Sequence, residues 1–358
     1  MQQLKNTLFY IHKPPPRHGT AVIGEQIERY MENDSNYFFN LSLSGGYQDV
    51  GKINLTKVNK LIKLIYYSLY VLILRNIRTV YIGVSLNGGG LWRDLVFIAL
   101  AKLARKYLVI HIHTRVSREP RFLRKYLIQW LFMKCKCIVP SHSVKQDLIK
   151  HNICTNPSVV PNGIEPIAVR GKRLLSDDRK SHILYYSNFS INKGIYVFLE
   201  IISKLDCTEN IHVMIFGSEL GITLEMINMR AEKLGLTCTL EICSGPTEDQ
   251  KKDMWSRADI LIFPSLDEAF GLVCIEAMAS GTLVIASQEG GITDVIKNGF
   301  NGLTFKTGEP GDGCQKLQLA LTDRFSSQRL AEQGNRDYFD KFHVSKFILN
   351  LKKSINNK

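Results

Sequence analysis

The chain has 358 residues, 46 basic and 33 acidic side chains, and a net charge of +13, a length that predicts two domains of ordinary size, each able to bury a core. Its longest apolar run, residues 64–74, has eleven residues against the roughly twenty that a membrane-spanning helix needs. Eight scattered cysteines without a Cys-x-x-Cys pair exclude a disulfide framework and suit a reducing compartment, and the polar residues 1–6 do not read as a leader peptide.

Short apolar strands then alternate with helical stretches. Strands are expected at 8–11, 37–43, 80–84, 108–112 and 137–139, and helices at 20–31, 91–105, 121–134 and 143–151. Residues 64–74, flanked by Lys63 and Arg75, read as a core helix or, through Tyr66, Tyr67 and Tyr70, as an interfacial one. Residues 166–181 are polar and charged, as a linker would be. From His182 the alternation resumes, with strands near 183–186, 211–216, 237–242, 259–263, 282–286 and 302–304, and residues 315–350 close the chain as helices. The pattern predicts an α/β fold of two doubly wound, Rossmann-like domains, 1–165 and 166–358, facing a cleft. Ligands of such sheets bind at the carboxyl ends of the strands.

The excess of positive charge is confined to the first domain. Residues 1–165 carry 23 basic and 9 acidic side chains, net +14, whereas 166–358 carry 23 and 24, net −1. Within 102–150 there are twelve cations against Glu119 and Asp147. Such a segment is either a solvated face or a patch for nucleic acid, anionic lipid or a phosphorylated substrate. On the helix at 121–134, Arg121, Arg124 and Lys125 cluster at one end while Tyr126, Trp130 and Phe132 supply aromatic contacts, which suits an anionic membrane surface.

The most informative segment is Phe263-Pro-Ser-Leu-Asp-Glu-Ala-Phe-Gly-Leu-Val-Cys-Ile-Glu-Ala-Met-Ala-Ser-Gly281. Glu268 and Glu276 stand with seven residues between them, around Phe270-Gly271-Leu272, where a loop should turn into a helix. Amide groups at a helix start lack intrahelical partners and suit a diphosphate, and glycine lets a ligand approach the backbone. Glu268 can accept hydrogen bonds from sugar hydroxyls, and Glu276 from a ribose. The plainer reading makes one a helix-start charge and the other an exposed helix residue. Against it, Glu276 interrupts an otherwise apolar helix, where a carboxylate needs a partner.

In the first domain, Lys13-Pro-Pro-Pro-Arg-His-Gly-Thr20 joins the first strand to the first helix. There His18 and Gly19 either face a phosphate or make a plain strand–helix turn. His111-Ile112-His113 ends a strand, and alternation puts both histidines on one face. Asn87-Gly-Gly-Gly-Leu-Trp-Arg-Asp94 opens a helix; Arg93 and Asp94 either line the acceptor side of the cleft or pair with groups near the helix start.

These motifs resemble the retaining glycosyltransferases of family 4, which have the two-domain GT-B architecture. Val159-Val-Pro-Asn-Gly-Ile-Glu165 is similar to the segment that opens the family's second domain. Asn192-Lys193-Gly194 resembles its phosphate-binding lysine and glycine, and Phe216-Gly217-Ser218 its glycine turn. Cys243-Ser-Gly245-Pro246 resembles the loop beside the nucleotide base, and Gly290-Gly291 the following glycine pair. The resemblance covers residues 155–345 well and the first half loosely. His113 best fits the family's histidine near the donor sugar. One departure is Asn188, where the family usually carries an arginine; it leaves Lys193 as the main cation for the donor diphosphate.

The resemblance implies a metal-independent hexosyltransferase; no Asp-x-Asp pair occurs in the chain, and no cofactor is expected beyond a nucleotide sugar as co-substrate. Lys193, Glu268 and His113 are the expected catalytic residues. Asn188, Gly194, Gly217, Gly245, Phe270, Gly271, Leu272 and Glu276 are expected to bind the donor, and His18, Gly19 and Arg93 the acceptor or a phosphate. Charge and family habit suggest a lipid-linked saccharide acceptor in bacterial O-antigen or capsule assembly, at the inner face of the cell membrane. A sugar-nucleotide epimerase of the same fold is the alternative. A nucleic-acid-binding protein would explain the charge but leave the glutamate pair unexplained, and no nucleic acid is expected as a partner.

Overall fold

A computed structural model describes residues 4–15, 18–44, 49, 54–86, 89–116, 122–167, 180–205 and 210–357. The element order is β1 (Thr7–Ile11), α1 (Gly19–Met31), β2 (Tyr37–Asn40), α2 (Leu55–Leu74), β3 (Thr79–Val84), α3 (Gly90–Leu103), β4 (Tyr107–Ile112), α4 (Phe122–Phe132), β5 (Lys136–Val139), α5 (His142–Lys150), β6 (Ser158–Val159). It continues with β7 (Ser181–Tyr186), α6 (Ile195–Ser203), β8 (Ile211–Gly217), α7 (Leu224–Lys233), β9 (Thr239–Ser244), α8 (Glu248–Arg257), β10 (Ile260–Phe263), α9 (Leu272–Ala279), β11 (Leu283–Ser287), α10 (Ile292–Val295), β12 (Leu303–Phe305), α11 (Pro310–Thr322), α12 (Arg324–Asp337) and α13 (Val344–Asn356).

Two compact units result. One comprises Met1–Gly163 with Val344–Lys358, the other Ile164–His343. The sequence assigned the closing helices to the second domain; by its contacts, α13 belongs instead to the first unit. Phe347, Ile348 and Leu351 are among its buried residues, and Phe347 lies 6.5 Å from the His111 ring. Most of the expected linker, 168–179, lies outside the described residues.

The first unit holds a parallel sheet in the order β2-β1-β3-β4-β5-β6. Its central strands are buried on both faces, as the continuous apolar runs of β1, β3 and β4 require. Strand β6 was not anticipated, because two residues carry no periodicity. β2 ends at Asn40 rather than 43; the Asn40 side chain accepts the Lys13 and Ser42 amides and turns the chain.

The apolar run at 64–74 is the clearest correction. It is the second half of the 20-residue α2, capped by the Asn54 side chain at its start. It is no core helix: Val71, Leu72, Ser68 and Lys57 are buried, but Ile62, Tyr66, Tyr67, Leu69, Tyr70, Ile73 and Leu74 are exposed. Among the described residues no helix is long and apolar enough to cross a membrane. On α4, Tyr126 and Trp130 are exposed as expected, but Phe132 is buried in the core. Arg121 lies outside the described residues, as do the side chain of Arg124 and residues 87–88 of the glycine loop.

The second unit holds a parallel sheet in the order β12-β11-β10-β7-β8-β9. Helices α6 and α11 pack on one face around Phe198, Ile201 and Leu317, and α9 packs on the other around Cys274, Ile275 and Met278. The strand order reverses between β7 and β10, because β7 leads outward to β8 and β9 while β10 leads the other way to β11 and β12. That reversal leaves a crevice at the carboxyl ends of β7 and β10. In the first unit the same reversal falls between β1 and β3.

Candidate active site

In the second unit the chain leaves β7 through Ser187-Asn188-Phe189-Ser190 and a 3-10 turn, Ile191–Lys193, before α6. It leaves β10 through Pro264 and the acidic loop before α9. These two exits are bound together. The Leu266 amide donates to the Asn192 carbonyl at 2.8 Å, and the Ser265 hydroxyl reaches the same oxygen at 3.3 Å. Ser287 Oγ, at the end of β11, fixes the Ser265 carbonyl at 2.6 Å. Gly194 sits between the exits at φ +71, where a Cβ would fall 1.9 Å from the Pro264 oxygen. Only glycine meets both demands there.

This packing brings Lys193 to Glu268. Lys193 Nζ lies 2.8 Å from Glu268 Oε2 and 3.5 Å from the Asp267 carbonyl. The other carboxylate oxygen, Oε1, accepts the amides of Phe270 at 3.3 Å and Gly271 at 3.2 Å. So the helix-start amides, expected to be unpaired, already hold an anion: the chain's own Glu268. Burial pushes this carboxyl up, but the Lys193 charge and the hydrogen bonds from Lys193, Phe270 and Gly271 outweigh it and hold it below its ordinary value. A cation and two aligned amides around one carboxylate are the elements of an oxyanion site.

The other residues expected to bind the donor surround this point unevenly. Gly271 starts α9 in the left-handed region, φ +94, with Phe270 buried and Leu272 half-buried beside it. Glu276, one turn on, is half-buried, and the charges of Glu268 and Glu276 both raise the Cys274 thiol, after burial itself. The two carboxylates therefore flank the same side chain. Gly217 ends β8 where a Cβ would meet the Ser187 oxygen at 1.8 Å, and its carbonyl accepts the amide of the exposed Gly245 at 2.6 Å. Asn188 is half-buried, with its carbonyl accepting the Tyr185 hydroxyl at 3.2 Å. Gly291 was noted only as part of a pair. Its amide donates to the Glu268 carbonyl at 3.1 Å, and a Cβ there would fall 2.1 Å from the Ala269 oxygen.

The first unit places a different chemistry at its own reversal. His12 follows β1 and His113 follows β4, while His18 caps α1 by accepting the Ala21 amide at Nδ1, 3.3 Å. His111 and His113 lie with ring centroids 4.0 Å apart, on one face as alternation requires. The Tyr81 hydroxyl meets His111 Nδ1 at 2.6 Å. Burial, and then the His18 charge, lowers His113 to about 3. Burial likewise lowers His12, His18 and His111, so all four rings are neutral at pH 7. The Nδ1 of His113 and Nε2 of His111 are buried without a hydrogen-bond partner. Among the described residues no three such side chains converge as metal ligands.

Arg93 does not face outward. Its guanidinium grips Asp94 Oδ1 at 2.6 and 2.8 Å, donates to the Leu41 carbonyl and approaches His12 Nε2 at 3.4 Å. Asp94 is fully buried and accepts the Ser85 amide; burial raises it to about 6 against the Arg93 charge. Arg93 is thus a brace between β2, β1 and α3, and Gly19 is the exposed first residue of α1. Sequence reasoning passed over His12. Its position one residue beyond β1, matching His113 beyond β4, is the signal that would have found it.

Comparison with known proteins gives the family of the second unit and the fold. The family described as glycosyl transferases group 1 matches residues 170–337. An uncharacterized glycosyltransferase of Methanocaldococcus jannaschii is 26% identical over 62% of this chain and 60% of its own length. The lipopolysaccharide 1,2-N-acetylglucosaminetransferase of Salmonella typhimurium is 29% identical over 58% of each. The chain thus spans about three fifths of the length of these relatives. The Anabaena HepE protein, crystallised with UDP and glucose, superposes with a TM-score of 0.78 over 99% of this chain and 100% of that one, at 16% identity. Sucrose-phosphate synthase of Thermosynechococcus elongatus gives 0.74 over 97% of both, also at 16%. These likenesses establish the GT-B fold, and the second unit of this chain is a glycosyl transferases group 1 domain.

Proposed function

We propose that the protein transfers a hexosyl group, with retention and without a metal, from a nucleotide diphosphate sugar to a saccharide acceptor, as the retaining enzymes of family 4 do. One observation carries the reading: Lys193 and the amides of Phe270 and Gly271 converge on a single anion at the β7/β10 crevice. In the resting protein that anion is Glu268. A donor diphosphate takes over the cation and the amides, and Glu268 turns to the sugar hydroxyls. Charge building on the leaving diphosphate is then stabilised by groups already in place, which is the most effective kind of catalytic contribution. Glu276 accepts from the ribose. Among the described residues no side chain is assigned as a covalent nucleophile, so attack from the leaving-group face is the working mechanism.

The acceptor is proposed to be a lipid-linked saccharide of a bacterial surface polysaccharide, O-antigen or capsule, met by a cytoplasmic enzyme at the inner membrane surface. The basic first 165 residues and the lipopolysaccharide-modifying relative support this reading. The test is incubation with a panel of nucleotide sugars, scoring free nucleoside diphosphate with and without a bacterial lipid extract. Release stimulated by the extract is the expected result. A new nucleotide sugar formed without acceptor would identify an epimerase, and no turnover of any donor would refute the assignment.

A further inference from the structure

Helix α2 has two apolar stripes, and the fold uses one of them. At 100° per residue, Leu61, Leu64, Ser68 and Val71 point one way, and all four are buried or half-buried against the first unit. Leu55, Ile62, Tyr66, Leu69 and Ile73 lie on the opposite side, and all five are exposed, Tyr66 at 67% and Ile73 at 73%. A helix apolar on both faces is normally covered on both. Lys63 borders the outward stripe, and Lys60 and Tyr67, further round the helix toward the Val71 side, are exposed as well. The adjoining α3, and α4 beside it, also expose Trp92 and Leu103, Tyr126 and Trp130.

We propose that the outward stripe of α2 lies in the interface of an anionic lipid membrane, a docking surface that rests on the proposed membrane-bound acceptor. At 20 residues the helix is about 30 Å long and can lie flat, apolar side chains below the headgroups and tyrosines at their level. Charge selects the occupant. Residues 51–118 contain twelve basic side chains and one acid, Asp94, which Arg93 neutralises. A second copy would set like charge against like charge, whereas anionic headgroups complement it. The apolar stripe has no use for a nucleic acid. The surface is therefore centred on α2 rather than on the basic end of α4.

The experiment is co-sedimentation of the full chain with vesicles of mixed phosphatidylethanolamine and phosphatidylglycerol, against pure phosphatidylcholine. The wild type is expected to bind the anionic vesicles preferentially. Ile62→Ser/Tyr66→Ser/Ile73→Ser should lose roughly tenfold or more in binding, and Lys60→Ser/Lys63→Ser should lose the preference for anionic lipid. All five side chains are exposed, so folding is expected to survive, checked by melting temperature. Donor hydrolysis without acceptor should be unchanged, which separates this surface from the active-site reading: vesicle binding without any donor turnover would sink that reading alone. Wild-type binding equal to the triple variant's, or concentration-dependent self-association that the triple variant abolishes, would overturn the docking surface.

Discussion

Gly291→Ala tests whether the acidic loop must sit where the structure puts it. Gly291 has φ −70 and ψ −10, a conformation alanine adopts without strain, so the effect is purely steric. The new Cβ would stand 2.1 Å from the Ala269 oxygen and 2.7 Å from Phe270 Cα. Ordinary contact begins near 3.4 Å, so the loop must retreat by about 1.3 Å. That loop carries Glu268 and the Phe270 and Gly271 amides, and a displacement of about 1 Å at reacting groups costs on the order of 100-fold in rate. Overpacking of this size costs about 1–3 kcal/mol in stability, so the protein should remain folded. Gly311→Ala is the control: it lies in the first turn of α11 with nothing within 4 Å of its Cβ. Turnover is measured as nucleoside diphosphate release, and folding as melting temperature. Equal turnover in the two variants would refute the claim that the Gly291 contact positions the site.

Lys193→Ala removes the cation paired with Glu268 and should lower turnover by about 100-fold or more, with the protein still folded; a variant keeping over half of wild-type turnover would remove Lys193 from catalysis. Glu276→Ala should weaken donor binding by about 1.5–3 kcal/mol, read by calorimetry, and unchanged affinity in a folded variant would reject the ribose contact. The first unit should be acid-labile. Burial lowers His113 from 6.5 to about 3, so the stability of its neutral form is present above pH 6.5 and is lost as pH falls toward 3. His12, His18 and His111 shift in the same direction. The unfolding transition of that unit should move to lower temperature between pH 7 and 5, and a transition insensitive to pH in that range would contradict the buried neutral cluster.

Much of the fold was legible because parallel strands buried on both faces read as unbroken apolar runs. The expected strands fell within two residues of β7, β8, β9, β10, β11 and β12, and the alternation gave the α/β class. Features set by tertiary contact were not legible. Residues 64–74 have a core composition, and nothing local says that one stripe of the resulting helix finds no cover. The final helix α13 is amphipathic like its neighbours, and sequence cannot say which sheet it packs on. At the site, Glu268, Gly271 and Lys193 stood out by residue type and spacing. The pairing of Lys193 with Glu268 did not, since it depends on Gly194 letting two loops 70 residues apart in sequence touch through Pro264. For Arg93 two readings stayed open for a related reason: its partner is its own neighbour, Asp94, and burial of that carboxylate is invisible without the sheet around it.

The two topological reversals are stocked with opposite chemistry, and this bears on which unit recognises charge. At the β7/β10 reversal a lysine and two amides hold a carboxylate, so the groups that favour an anion are organised before any ligand arrives. Near the β1/β3 reversal, among the described residues, Arg93 is neutralised by Asp94 and Lys13 is paired with Glu28, and the histidines around Arg93 are uncharged. That environment suits hydroxyl groups, which need neutral donors and acceptors and lose nothing by the absence of net charge. The basic side chains of the first unit are therefore not explained by its strand ends. Among them Lys60 and Lys63 stand on α2, Lys102 on α3 and Lys125 on α4, the helices that also expose tyrosines and tryptophans. Charge on a surface that also exposes apolar side chains fits a boundary between water and lipid better than it fits a soluble anion. On the proposed reading, diphosphate recognition by the second unit and surface attachment by the first are separable, and substitutions that remove one are expected to leave the other intact.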